Sequence, residues 1–327
     1  MEQIDYSVVI RTTGKAGEKY RRLLASIDAL VPRPREVIVV LPEGYDLPPE
    51  RLGWEIFHFC PKGMVTQRLY GIQVCRTPYA LISDDDIAFE PDFVQKLYQP
   101  VKDGAFGLSA GPLLEFLPSK GMQTMLWALG AAAIPARSHE APYVAMLPTT
   151  GYVYNRNIDT TTTRVYETQS AAWTCFFADV EKLRSIHMED ELWLDHMGYS
   201  AHDDTVMFYK AWLRGVKTAI VSTATYQHLD GKTSTKGRPV QVKRAMGFTR
   251  TILWHRFFYG QSRGLGKLWC VVCLTYRTLF QTATDLVRCV LGKRPFAEVK
   301  AYIEGTTYAL AWVKSEEYQN LPVLVEQ

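Results

Sequence analysis

Two groups of adjacent carboxylates carry the chemistry this sequence offers. Asp84-Asp85-Asp86 follows the apolar run Tyr79-Ala80-Leu81-Ile82-Ser83 without a break, and Asp203-Asp204 opens a segment of helical periodicity just after His202. Neighbouring aspartates repel one another unless a cation or hydrogen-bond donors neutralise them. A hard divalent ion with oxygen ligands is the natural counter-charge. A solvated acidic loop after a strand is the ordinary alternative for the first group. Helix capping is the ordinary role of a single aspartate at a helix start, and a pair beside a histidine is less ordinary. His228 stands just past an apolar segment, where a hydrogen-bonded structural role is commoner than ligation. Arg11, Lys15 and Arg68 are cations with the reach to meet a phosphate, although each also suits a surface.

These groups need elements to hold them. Tyr6-Ser7-Val8-Val9-Ile10 reads as a strand that runs into the polar turn Arg11-Thr12-Thr13-Gly14-Lys15-Ala16-Gly17. Leu23, Leu24, Ile27 and Leu30 recur at helical spacing over 20–30, and Pro32 and Pro34 end that helix. Residues 36–41 form a continuously apolar strand, as buried parallel strands do. A weaker strand is expected over 54–59, a helix over 64–74, and a strand that ends at the aspartates. That order implies a doubly wound, mostly parallel sheet with helices on both faces. A short helix is expected over 91–98, one long strand over 167–177, and a helix at 181–184 capped by Asp179. The helix headed by Asp203-Asp204 has Val206, Tyr209, Trp212 and Leu213 on its apolar face and Gly215 at its end. A strand over 216–221 follows it. The stretch 104–163 mixes periodicities, as binding insertions do.

The whole chain has 327 residues, 47% hydrophobic and 22% charged, enough for one large α/β domain with an appendage. A formal net charge of +3 is too small to imply a nucleic-acid partner. The six cysteines lack a disulfide-framework spacing, and Cys270-Val271-Val272-Cys273 has no second pair to make a zinc site. The N-terminus shows no basic segment followed by an apolar run, so no signal peptide is expected. Beyond residue 231, Lys232, Lys236, Arg238, Lys243, Arg244 and Arg250 make a basic run, followed by the aromatic stretch 251–259. Leu268–Leu291 reads as an amphipathic helix, interrupted by Arg277, Asp285 and Arg288, that could pack on the sheet or lie on an anionic membrane surface. The expected division is an α/β domain over 1–240, which would carry the acidic groups, and a basic, aromatic helical extension over 241–327.

From residue 6 to about 231 the chain resembles the GT-A glycosyltransferases of family 2. The matching segments, in order, are Ser7-Val8-Val9-Ile10-Arg11-Thr12-Thr13, Thr66-Gln67-Arg68-Leu69-Tyr70-Gly71-Ile72, Ile82-Ser83-Asp84-Asp85-Asp86-Ile87, and Asp203-Asp204 through Gly215. Two departures stand out. Leu41-Pro42-Glu43-Gly44 replaces the family's frequent Asp-Asp-Gly-Ser, and Asp203-Asp204 replaces its Glu-Asp pair. The resemblance implies a GT-A α/β fold with a C-terminal helical extension. It also implies transfer of a sugar, with inversion, from a nucleotide-sugar donor to a hydroxyl on a surface glycan or lipid-linked saccharide. Arg11, Thr12, Thr13, Glu43, Arg68, Asp84 and Asp85 would bind the donor. Asp86 and Asp84, with His228, would hold Mn²⁺ or Mg²⁺; an alignment shifted by one makes Asp85 the ligand. Asp204, or second Asp203, would be the general base that takes the acceptor proton. Trp173 and Tyr199 are candidates to stack on sugars. The expected location is cytoplasmic, either free or peripheral on the membrane's cytoplasmic face. A nucleotidyltransferase and a non-catalytic nucleotide-sugar-binding module are the rival readings.

Overall fold

The apolar runs of the first hundred residues become buried strands, and the amphipathic segments between them become the covering helices. β1 (Tyr6–Arg11) leads to α1 (Glu18–Asp28), β2 (Glu36–Pro42) and β3 (Ile56–Cys60). These are followed by α2 (Met64–Val74), β4 (Tyr79–Asp84), β5 (Ile87–Phe89) and α3 (Phe93–Lys102). The computed structural model describes residues 3–118, 121–229 and 237–324; Lys232 and Lys236 of the basic run lie outside these described residues. The mixed middle stretch holds β6 (Leu108–Ala110), α4 (Met122–Ala131), β7 (Val144–Met146) and β8 (Tyr152–Tyr154). The chain continues through β9 (Val165–Thr168), β10 (Cys175–Asp179), α5 (Val180–Arg184), α6 (Asp203–Leu213), β11 (Thr218–Val221) and β12 (Tyr226–His228). Four helices close it: α7 (Pro239–Trp254), α8 (Leu265–Val290), α9 (Phe296–Trp312) and α10 (Glu316–Gln319).

The main sheet has the order β3-β2-β1-β4-β10-β6-β11-β9. β3, β2, β1 and β4 are mutually parallel, and β6 and β11 run the same way. β10 and the edge strand β9 run against them. The sheet is therefore mixed and mostly parallel, with helices on both faces. Alternation within β1 divides the interior. Tyr6, Val8 and Ile10 face Leu23, Leu24 and Ile27 of α1 and Phe93 and Leu97 of α3. Val9 faces the other core, shared with Val65 and Ile72 of α2 and Phe208 of α6. Gly71 lets α2 lie close on the sheet, because a Cβ there would stand 2.4 Å from Val9 Cγ1.

The expected single strand over 167–177 is two strands at different places in the sheet. β9 pairs with β11 at the edge, while β10 lies between β4 and β6. The hydroxyl of Thr168 donates to Ser170 O at 2.6 Å, and the chain leaves the sheet there. Residues 169–174 then cross to the end of β4, where Thr174 O accepts from Asp84 N at 2.8 Å. Apolar patterning does not reveal such a break, because which strands a segment pairs with is not a local property of the chain. Asp179 caps α5 as its position predicts, accepting from Lys182 N.

α6 is fixed from below by a buried ion cluster. Glu191, fully buried, pairs with Lys210 of α6 at 2.8 Å and accepts from Arg256 at 2.8 and 2.9 Å. Burial pushes the Glu191 carboxyl up, but Arg256 and Lys210 outweigh it and hold the group ionised. Phe248, Ile252 and Trp254 of α7 belong to the same buried cluster as Val9 and Phe176 of the sheet. Gly247 allows α7 and α9 to touch, since a Cβ there would meet Tyr302 O at 2.2 Å. Among the described residues no helix is long and apolar enough to cross a membrane.

Candidate active site

Parallel register sets the first part of the site. Arg11 and Asp84 are paired positions on β1 and β4, at the carboxyl ends where open α/β sheets present ligand groups. Arg11 Nε donates to Asp84 Oδ1 at 3.1 Å. Arg68, in the second turn of α2, donates through Nη2 to both Asp84 oxygens at 3.0 and 2.9 Å. Its Nη1 donates to Asp203 Oδ2 at 2.5 Å. Its guanidinium lies 4.8 Å from the centre of the fully buried Trp173 ring. One enclosed arginine therefore ties both acidic groups together. Burial opposes its charge, but Asp84, Asp203 and Asp204 more than offset that and keep it protonated. Among the described residues Arg68 Nε is buried with no hydrogen-bond partner.

The carboxylates are tuned apart. Burial would raise Asp84, yet Arg11 and Arg68 outweigh it and hold the group below the usual carboxylate range. Asp85 accepts from Thr12 Oγ1 at 2.6 Å. Burial still pushes it up to about 6, against that hydrogen bond. Burial raises Asp203 more than its bond to Arg68 lowers it. Asp204 accepts from Trp173 N at 2.8 Å. Burial first, and the Asp203 charge second, push it up to about 7, against the pull of Arg68. Asp204 also borders a cavity of about 130 Å³, lined by Gly111, Leu113, Tyr143, Tyr152 and Thr205 among others. Most of these come from the stretch 104–163.

Asp86 turns the other way. β5 and β12 pair antiparallel, with His228 opposite Ile87, and Leu229 N donates to Asp86 O at 2.7 Å. This small ribbon brings His228 Nε2 to 3.5 Å from Asp86 Oδ1 and Nδ1 to 3.9 Å from Glu115 Oε1. Oxygen ligands suit Mn²⁺ or Mg²⁺, and an imidazole tilts the choice toward Mn²⁺. Among the described residues no three His, Cys, Asp or Glu side chains are grouped as a metal centre. Asp86 and His228 would hold an ion together with ligand oxygens such as those of a diphosphate. Asp84 is engaged by its two arginines instead.

Thr13 is half-buried just past β1, and Glu43 is exposed in the turn after β2, its N–H donating to Cys60 O at 2.9 Å. Both stand at the same end of the sheet as Asp84. His202 faces α7, with Nδ1 3.0 Å from Thr249 Oγ1 and Nε2 3.3 Å from Arg250 Nη2. Burial and the Arg250 charge hold it neutral. Trp173, enclosed against Arg68, has no free face for a sugar; Tyr199 is half-buried.

Asp195 gives no signal in the sequence, yet it caps α2, the helix that carries Arg68. It accepts from the N–H groups of Met64, Val65 and Thr66, from Thr66 Oγ1, and from Ser200 Oγ. A remote carboxylate thus neutralises the exposed donors at the start of α2. Asp195→Ala is expected to lower unfolding free energy by about 1–2 kcal/mol, read by urea denaturation. An unchanged midpoint would show that the contact contributes nothing. The Trp173 N–H, in a turn, and Glu115, in a single 3-10 turn, likewise lie where no periodicity marks them.

No family model matches this chain, and no curated protein sequence does. Among solved structures it is similar to GalNAc-T7 crystallised with UDP, GalNAc and Mn²⁺, at 12% identity and a TM-score of 0.49. That match covers 85% of this chain and 55% of the other, so the chain spans about half the length of that protein. It is also similar to 2-C-methyl-D-erythritol 4-phosphate cytidylyltransferase from Thermus thermophilus, at 18% identity and a TM-score of 0.36, over 68% of this chain and 92% of that one.

Proposed function

We propose that this chain is an inverting glycosyltransferase, of the GT-A type and similar to family 2. It would move a sugar from a nucleotide-sugar donor to a saccharide hydroxyl. The observation that carries the reading is Asp204: a carboxylate raised to about 7, on the wall of a cavity, anchored through one oxygen by the Trp173 N–H. A general base works best with a pKa near the operating pH. An acceptor hydroxyl in the cavity gives its proton to Asp204 as its oxygen attacks the anomeric carbon. Asp203, held by Arg68, stays out of that exchange. One base and one in-line displacement produce inversion.

The donor would lie along the ends of β1 and β4. Thr12 holds Asp85, and Arg11 and Arg68 hold Asp84, so the carboxylates nearest the donor are fixed in orientation before it arrives. A divalent ion at Asp86 and His228 would supply positive charge to the departing diphosphate.

The test is thermal stability with UDP, GDP, CMP and dTDP, each with and without Mn²⁺. A ligand present at 100-fold over its dissociation constant stabilises the native state by about 2.7 kcal/mol. One nucleotide is expected to give a metal-dependent rise in melting temperature. Asp86→Ala and His228→Ala are each expected to reduce it. A rise that survives both substitutions would remove these residues from the metal site. Release of a free nucleoside diphosphate identifies sugar transfer, whereas release of pyrophosphate would identify a nucleotidyltransferase.

A further inference from the structure

α8 exposes an apolar stripe. A surface helix normally buries its apolar stripe and exposes its charges. In α8 the inward side carries Arg277 and Asp285 beside the buried Cys270 and Cys273. The carboxylate of Asp285 is fully buried and paired with Arg294, with Lys243 at 3.7 Å. The outward side carries Trp269, Val272, Leu279, Leu286 and Val290, spaced three, four or seven residues apart, with Leu279 65% and Val290 88% exposed. At about 1.5 Å per residue the helix is about 39 Å long, so the stripe is continuous over most of that length.

α4 extends this face. It contains no charged residue, and Met122, Met125 and Leu129 are exposed. It crosses α8 where Tyr276 Oη donates to Leu129 O and where Gly130 meets Arg277 and Phe280. Exposed apolar areas of this extent mark an interaction site. The charges around it select the partner. Between Arg263 and Phe296 the sole acidic residue is the buried Asp285, while Arg263, Lys267, Arg288 and Lys293 are exposed. A second copy would bring these like charges together. An anionic bilayer complements them and takes up the apolar stripe.

We propose that the outward faces of α4 and α8 dock together on an anionic lipid bilayer, with α8 lying in the plane of the interface. α4 also packs behind the Asp204 cavity: Trp127 lies on Tyr152, ring centres 5.4 Å apart, and Tyr152 lines the cavity. Docking would bring that cavity to the membrane surface, within reach of an acceptor carried on a lipid; this consequence rests on the transferase reading.

The experiment is flotation of the full chain with vesicles of phosphatidylcholine alone or of equal parts phosphatidylcholine and phosphatidylglycerol. The protein is expected to float with the anionic vesicles and to be released by salt. Brominated acyl chains are expected to quench its fluorescence, and less so in Trp269→Phe. Val272→Glu with Leu279→Glu, both at exposed positions, should lower the bound fraction at least tenfold, and Met125→Glu should lower it less. No flotation with either vesicle, or flotation unchanged by the double substitution, would overturn the proposal. So would a dimer in solution that the double substitution dissociates, because a second copy would then cover the face. The nucleotide-induced melting shift should persist in the double variant. If that shift is absent from the unaltered protein while flotation stands, the transferase reading fails and the docking surface does not.

Discussion

Asp204→Asn is expected to lower the rate of sugar transfer by about 10²–10⁴-fold, the contribution of a positioned general base, while nucleotide binding stays intact. The amide keeps an oxygen to accept from the Trp173 N–H and preserves the cavity wall, so a loss would report proton transfer and not collapse. Single-turnover transfer from a labelled donor, beside the nucleotide-induced melting shift, separates the two. On the transferase reading, kcat/KM of the unaltered protein should rise with pH to a plateau, with an apparent pKa near that of Asp204, about 7. Retained turnover in the variant would remove Asp204 from the role of base.

The same carboxylate lowers stability. Its folded value of about 7 exceeds the unfolded value near 3.9, so between those limits the folded state binds a proton that the unfolded state lacks. Stability from this group is fully present below about pH 4 and is lost as pH rises through 7. Asp204→Asn should therefore melt higher than the unaltered protein at pH 8 and much the same at pH 4. A tenfold difference in proton affinity between the two states is about 1.4 kcal/mol; allowing for partial exposure, the gain at pH 8 is about 1–3 kcal/mol.

Arg68→Met is expected to lower unfolding free energy by about 3–5 kcal/mol, the effect of leaving buried charges without their partner. Both Asp84 and Asp203 rely on this guanidinium, and Asp84 would keep only Arg11. Arg68→Lys should recover little, since a single ammonium cannot grip Asp84 through two oxygens and also bridge to Asp203. Adding Asp203→Asn to Arg68→Met should restore part of the loss, because the unpaired charge is then gone. Urea denaturation measures all three. An Arg68→Met protein within about 0.5 kcal/mol of the original, the size of an ordinary surface substitution, would show that the two carboxylates are neutralised by other means.

The sequence by itself determined the elements. The strands over 36–41 and 79–84 follow from continuous apolar runs, and the helix headed by Asp203 follows from apolar residues at a period of 3.6, which are local properties of the chain. It also marked the acidic strand end, because charge following directly on a buried run is visible without a fold. Only the tertiary structure decided how those charges are used. Asp84, Asp85 and Asp86 are consecutive and share one composition, yet Asp84 faces two arginines, Asp85 a threonine and Asp86 a histidine. Those partners come from β1 and the turn after it, from α2 and from β12, as many as 142 residues away in the chain. The split of the expected strand over 167–177 is of the same kind. The 169–174 crossing that carries the Trp173 N–H to Asp204 is set by which strands become neighbours, not by any residue within it. The outward stripe of α8 shows the converse. Its periodicity was legible in the sequence, but its direction was not, because a helical pattern names two faces and only packing decides which of them is inside.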